Sequence, residues 1–224
     1  MHIDLFQNSA EAEQRTAKAE LARKPVHEAQ IAFYKRLDSI IQVAHAASSK
    51  KMACTAGCSY CCYYKVEARA PEVLAVQQFI EAQFTPAQKA RVLRQAALNV
   101  AEVKNLSHAQ HLAVNQACPL LEDGRCSAYS VRPSKCRNFH AKDAEGCKQS
   151  FDEPTNLSIP NSFIEAVALA ANGATTGFEQ AQEASGLDLR VYDLNSALLD
   201  AFASPKASKR MRSGKRTFLS ATIV

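Results

Sequence analysis

Several things are missing from this chain, and each absence narrows what it does. It has no tryptophan, and only 7 of its 224 residues are glycine. No Gly-rich strand-to-helix turn of the kind that cradles a nucleotide or S-adenosylmethionine stands out. No Ser-His-Asp order or paired carboxylates can be argued, so hydrolytic chemistry has no candidate residues. There is no internal repeat. No apolar run reaches the roughly 18 residues a membrane span needs. The most apolar stretch, Phe163–Ala171, is short and interrupted by Glu165. The first residues, Met1–Gln14, carry Asp4, Glu11 and Glu13 in place of a secretory apolar core. A reducing cytoplasm and no membrane partner are therefore expected.

Residues 204–224 contain no acid at all. Lys206, Lys209, Arg210, Arg212, Lys215 and Arg216 lie there, and taking these six from the formal +5 leaves −1 on residues 1–203. The body is nearly neutral and the end is basic. A flexible, solvated tail is expected, with residues 206–216 as the one stretch that could touch nucleic acid.

What the chain does have is helix-forming sequence. Hydrophobic residues make up 47% and charged residues 22%, ordinary for a globular protein large enough to fold without cross-links. Ala10–Arg23 is rich in good helix formers and Pro25 should end that helix. Apolar positions at spacings of three and four predict a second helix from about Val26 to Ala47. Pro71 opens a third, to Gln83; Thr85-Pro86-Ala87-Gln88 is a capped start for a fourth; Ser107 caps a short fifth, to about Gln116. Helix returns over Pro160–Ala171, Thr176–Ala184 and Leu187–Phe202, with Asn172-Gly173 and Ser185-Gly186 read as breaks. The expected fold is mainly α. Residues 1–50 are N-terminal helices, 51–150 a core with intervening helices, 151–203 further helices of the same domain, and 204–224 the tail.

Two stretches, Lys50–Arg69 and Cys118–Cys147, break the helical pattern. Asp123-Gly124 predicts a short hairpin near 119–127. Loops this long in a small domain need an internal anchor, and all eight cysteines fall in them: Cys54, Cys58, Cys61, Cys62, Cys118, Cys126, Cys136 and Cys147. None falls in a predicted regular helix. The first group reads Cys-x3-Cys-x2-Cys-Cys, a spacing that lets a turning backbone aim several sulfurs at one point. Zinc takes four thiolates in a tetrahedron, and iron–sulfur clusters take thiolates at similarly close spacing. Adjacent Cys61 and Cys62 fit best if each serves a different metal, or if one points to the second group. Eight thiolates divide into two four-coordinate sites, or into one cluster with spare ligands. A disulfide framework fits less well with the vicinal pair and the ample core. No βαβ pattern surrounds Cys58–Cys61, which argues against a thioredoxin-like redox pair.

Other residues nearby have weaker claims. A site of four thiolates is anionic, so cations close to it are expected, and at least one of Arg132 and Arg137 should approach a sulfur or the loop backbone. His108 and His111 share a helix face but read as surface or core histidines. His140 could replace a cysteine as ligand. Tyr60, Tyr63, Tyr64 and Tyr129 flank the cysteines and should pack around the centre.

The two segments CTAGCSYCC at 54–62 and CPLLEDGRCSAYSVRPSKCR at 118–137 together resemble the YkgJ-type cysteine-cluster family, described as zinc- or iron-chelating. The resemblance covers about residues 50–150 and implies ligation by Cys54, Cys58, Cys61, Cys62, Cys118, Cys126 and Cys136. Cys147 joins on count and proximity. A similar cysteine-rich segment in flagellin lysine methylases adds an iron–sulfur enzyme or electron carrier, related to methyl transfer, to what the resemblance implies. The metal, zinc or iron, and any reaction stay open at this point, beside a zinc-stabilised module that binds a partner through its basic tail.

Overall fold

A computed structural model describes residues 2–160 and 162–224. The fold is mainly α, with ten α-helices and two small antiparallel strand pairs among the described residues. Helix α1 spans His2–Leu21 and α2 spans Val26–Ala46. Pro25 separates them, since it offers no amide to continue a helix. Arg36 of α2 clamps α1 by contacts to Glu13 (2.6 Å) and Glu20 (2.9 Å).

Helix α8 runs unbroken from Glu165 to Ala184, where two helices divided at Asn172-Gly173 are expected from the sequence. Asn161, within the expected helical segment, lies outside the described residues. Gly173 makes a close approach and no turn. A Cβ there would sit 2.3 Å from the Phe6 carbonyl oxygen, and one at Gly177 would sit 2.0 Å from that of Ala10. The two glycines let α1 lie backbone to backbone against α8. The other side of α8 meets α2, where the Phe33 and Phe178 rings stack at 4.1 Å.

Helices α3 (Ala70–Gln83), α4 (Pro86–Val103) and α5 (His108–Leu112) follow the expected proline and capping signals. The Thr85 hydroxyl accepts from the Gln88 amide, and Ser107 does the same for Gln110. Helix α5 stops at Leu112, short of the expected end. Strand β1 (Glu67–Arg69) pairs with β4 (Val191–Asp193), in register Ala68 to Tyr192. This pair was not foreseen; three residues are too few for a period-two signal, and the partners lie far apart in sequence. Helix α9 therefore begins at Leu194 and runs to Ala203.

Residues 204–224 are packed, which corrects the expectation of a flexible tail. Helix α10 (Ala207–Arg212) buries Ala207 and Met211, and Phe218 and Thr217 are fully buried. Tyr192 bridges to Ile223, and the Phe218 ring meets Tyr192 edge-on at 5.0 Å. Arg210 donates to the Thr217 carbonyl, and Arg216 to those of Phe218 and Ala221. Two of the six cations thus shape their own segment. No described helix is long and apolar enough to cross a membrane.

Candidate metal centre

The two irregular stretches meet, and several ties hold them together. The first cysteine group lies on a loop that enters a 3-10 turn at Tyr60–Tyr63. The second begins after α5 and includes the hairpin β2 (Leu121–Glu122) and β3 (Arg125–Cys126), at the site expected for it. Asp123 (φ 49°) and Gly124 (φ 72°) make its turn in the left-handed region. The turn abuts the first loop: a Cβ on Gly124 would lie 3.5 Å from the Gly57 carbonyl oxygen. Along the seam the Cys118 amide donates to the Cys62 carbonyl (2.8 Å), and the Gln116 amide to that of Tyr63 (2.9 Å). Further out, the Ala53 amide donates to the Ala141 carbonyl at 2.8 Å. The Tyr64 hydroxyl reaches the Cys147 carbonyl at 3.3 Å.

The expected all-irregular setting of the cysteines needs correction at two positions. Cys136 sits on the short helix α6 (Ser134–Asn138) and Cys147 on α7 (Ala144–Asp152). Arg132-Pro133 ends the preceding turn and starts α6. The Asp143 carboxylate caps α7, accepting from the Glu145 and Gly146 amides.

All eight cysteines are free thiols, and several are electrostatic neighbours across the seam. Cys147 feels Cys54, Cys58 and Cys61. Cys136 feels Cys118, Cys126 and Cys61. The Cys62 thiol hydrogen-bonds that of Cys61. That contact, with burial, pushes the Cys61 thiol up. Burial pushes Cys118 up to about 12 and, with Cys54 beside it, Cys147 up to about 11. Burial also holds Cys136 well above the usual thiol range. For Cys126 burial again leads, partly offset by the Ala128 amide and by the Arg132 and Arg137 guanidiniums. Backbone amides of Leu120 and Leu121 favour the thiolate of Cys118, and that of Ala141 favours the thiolate of Cys54.

The donor set suits a soft cation in type: eight free thiols, with thiolates favoured by backbone amides at Cys118 and Cys54 and by two guanidinium charges at Cys126. Among the described residues no three of Cys, His, Asp and Glu are gathered closely enough to hold an ion as they stand. Closing such a site asks the thiols to give up protons and turn inward, which is the ordinary coupling of metal binding to ligand ionisation.

Both arginines meet the expectation set for them. Arg137 is buried, pairs with Asp38 at 2.6 Å, lies 4.1 Å over the Tyr34 ring, and donates to the Ser130 and Arg132 carbonyls. Arg132 lies 3.7 Å over the Tyr129 ring and donates to the Tyr129 carbonyl at 2.9 Å. His140 is engaged at both nitrogens: Nδ1 meets the Asn138 carbonyl (2.8 Å) and Nε2 accepts the Ile164 amide (2.9 Å). It serves as a buried clamp, not as a ligand. His111 is buried and His108 meets the Lys65 ammonium at 3.0 Å, away from the thiols. Tyr60 and Tyr63 pack on Phe151, and Tyr64 on Phe139. Tyr129 is exposed.

Sequence reasoning missed the residues that hold the loops from outside. The buried Glu72 carboxylate of α3 accepts from the Ser134 amide (2.8 Å) and hydroxyl (2.7 Å), fixing the start of α6. Asn99 of α4 donates to the Ala117 carbonyl at 2.9 Å. Arg91 donates to the carbonyls of Pro119 and Leu121. No local pattern could have found these, because each acts on backbone distant in sequence. A groove of about 410 Å³ lies elsewhere and has no cysteine in its lining. Its Arg69 and Arg190 are already paired with Glu179 and Asp188.

Neither the curated proteins nor the solved structures gave a match. Residues 53–156, the span holding all eight cysteines, match the CxxCxxCC family model, described as a "Putative zinc- or iron-chelating domain", and the chain is similar to that family over this segment.

Proposed function

We propose that this protein binds zinc or iron through the thiolates of Cys54, Cys58, Cys61, Cys62, Cys118, Cys126, Cys136 and Cys147. The observation that carries the reading is the meeting of two cysteine loops, remote in sequence, across a shared seam of backbone hydrogen bonds. A chain with an adequate hydrophobic core gains nothing obvious from eight free thiols on two adjoining loops, unless they serve a ligand. A reducing cytoplasm, the setting we infer, keeps such thiols available. When bound, the metal would cross-link the loops and fix α6 and α7 against the rest.

The test is metal content per chain after anaerobic purification with reductant. Bound zinc or iron, lost when Cys58 and Cys118 are each replaced by serine, supports the reading. A chain that stays metal-free when offered either ion, with its thiols unprotected, refutes it. A brown chain with acid-labile sulfide would assign the cysteines to an iron–sulfur cluster, and an electron-transfer or methyl-transfer role would be sought from there. The basic C-terminal segment gains no support as a nucleic-acid arm, since much of it is folded onto the body.

A further inference from the structure

The six cations of residues 204–224 do not share one fate. Arg210 and Arg216 are spent on carbonyls of their own segment. Lys206, Lys209, Arg212 and Lys215 are exposed, and none of their side chains meets an acid or a carbonyl among the described residues.

Helical geometry gathers these four. The buried Ala207 and Met211 fix the inner face of α10. At 3.6 residues per turn, Lys209 and Arg212 fall opposite that face, with Lys206 beside them at the helix start. The chain then turns back at Gly214, where φ is 68°. The Gly214 amide donates to the Met211 carbonyl (3.2 Å), and the Lys215 amide to that of Arg210 (3.1 Å). Lys215 is thereby held against the end of α10. The carboxylates that touch this segment are already committed. Asp188 takes Arg190, Tyr192 and Thr217, and Asp200 takes the Ser220 amide. Four uncompensated charges on a packed element repel one another, while the rest of the chain is nearly neutral.

The surroundings select the partner. Phe218 is the one aromatic residue in 204–224, and it is buried. A nucleic acid strand would find no ring there on which to stack its bases. The apolar face of α10 is turned into the core, so none of it is left to enter a lipid surface. The same segment exposes scattered aliphatic side chains, Leu219, Ile223 and Val224. Carboxylates interspersed with apolar side chains complement that mixture, and such a mixture is found on polypeptides.

We propose that α10 and the turn after it form a docking surface for an acidic stretch of another protein, with Lys206, Lys209, Arg212 and Lys215 as its charged contacts. The field of the four cations steers the partner in, and the fixed backbone presents them without an ordering cost. The surface is independent of the metal-binding reading, since none of the four residues lies within 53–156.

The experiment uses the full chain, because deleting a packed segment would test folding and not docking. Three probes are titrated at graded salt: a fluorescein-labelled peptide of alternating Glu, Asp and Leu, a poly-dT oligonucleotide of equal charge, and vesicles containing phosphatidylserine. The peptide should bind tightest and weaken at least about tenfold between about 50 and 500 mM salt. The quadruple variant Lys206→Gln, Lys209→Gln, Arg212→Gln, Lys215→Gln should bind it about tenfold or more weakly. That variant should keep the wild-type circular dichroism and urea midpoint, since all four side chains are exposed. A control that replaces four exposed lysines elsewhere, Lys18, Lys35, Lys50 and Lys104, by Gln should bind as wild type does. Tighter binding of the oligonucleotide or of the vesicles would overturn the proposal. So would equal losses in the two variants, or no peptide binding at about 50 mM salt.

Discussion

The Cys118 amide donates to the Cys62 carbonyl at 2.8 Å, so a cysteine of the second loop is pinned to a cysteine of the first by main chain alone. Neither loop can rearrange freely without disturbing the other. The hairpin that carries Cys126 reinforces the seam, because its turn rests against Gly57. Gly124 holds φ at 72°, where a side chain costs about 1 kcal/mol or more. Gly124→Ala is expected to lower stability by about 1 kcal/mol. The urea midpoint should fall with an unchanged m-value, and metal should leave at lower chelator concentration.

Arg137 gives a larger effect than Arg132. The Arg137 side chain is 1% exposed, and its removal takes the close partner from Asp38 and strands the Ser130 and Arg132 carbonyls. Arg137→Gln is expected to cost about 3 kcal/mol in urea unfolding. Arg132 stacks on an exposed tyrosine and stands 3.5 Å from Asp38. Arg132→Gln should cost under about 1 kcal/mol. Equal losses from both would contradict the placement of Arg137 as the buried brace.

Gly177→Ala tests the helix packing through its sign. In a helix interior, alanine ordinarily gains about 1 kcal/mol over glycine. Here its Cβ would lie 2.0 Å from the Ala10 carbonyl oxygen, so α1 would have to move. A net loss of about 2 kcal/mol is expected. A stabilised variant would mean that α1 does not sit on α8 this closely.

Asp188 fixes the C-terminal segment and sets an acid limit on it. Burial alone would push its carboxyl up, but the Tyr192 hydroxyl, the Thr217 amide and the Arg190 groups outweigh burial and hold it below the usual range. A carboxylate depressed in this way contributes fully above its unfolded value, near about pH 4. That contribution fades as pH falls through the lower folded value. Asp188→Asn should therefore cost about 2 kcal/mol at neutral pH. The gap between variant and wild type should narrow below about pH 4, as read by urea midpoints across pH.

The C-terminal segment is also structural. Phe218 is fully buried against Tyr192, so Phe218→Ala should cost about 3–5 kcal/mol. Deleting residues 204–224 should give an unstable chain, where a mere tail would be removed without consequence.

Much of this was legible in the sequence, for local reasons. The Thr85 and Ser107 caps, Pro25 and Pro71, and the Asp123-Gly124 turn act within a few residues of themselves, and each lies where its chemistry predicts. The cysteine spacings likewise pointed to one neighbourhood. What escaped depends on distant partners. Gly173 reads as a break by itself and becomes a contact only once α1 lies against it. The basic composition of 204–224 suggested a solvated tail, but Met211, Thr217 and Phe218 are spaced irregularly and show their purpose only beneath Tyr192 and Asp188. Glu72, Asn99 and Arg91 brace the cysteine loops from helices whose sequence does not mention cysteine at all.

The most direct measurement of the central claim is metal bound per chain, with the visible spectrum and acid-labile sulfide, on protein purified without oxygen. The account expects stoichiometric zinc or iron that is lost as acid protonates the thiolates and as cysteines are replaced by serine. A chain that carries neither metal, takes up neither when offered, and keeps all eight thiols open to alkylation would contradict it.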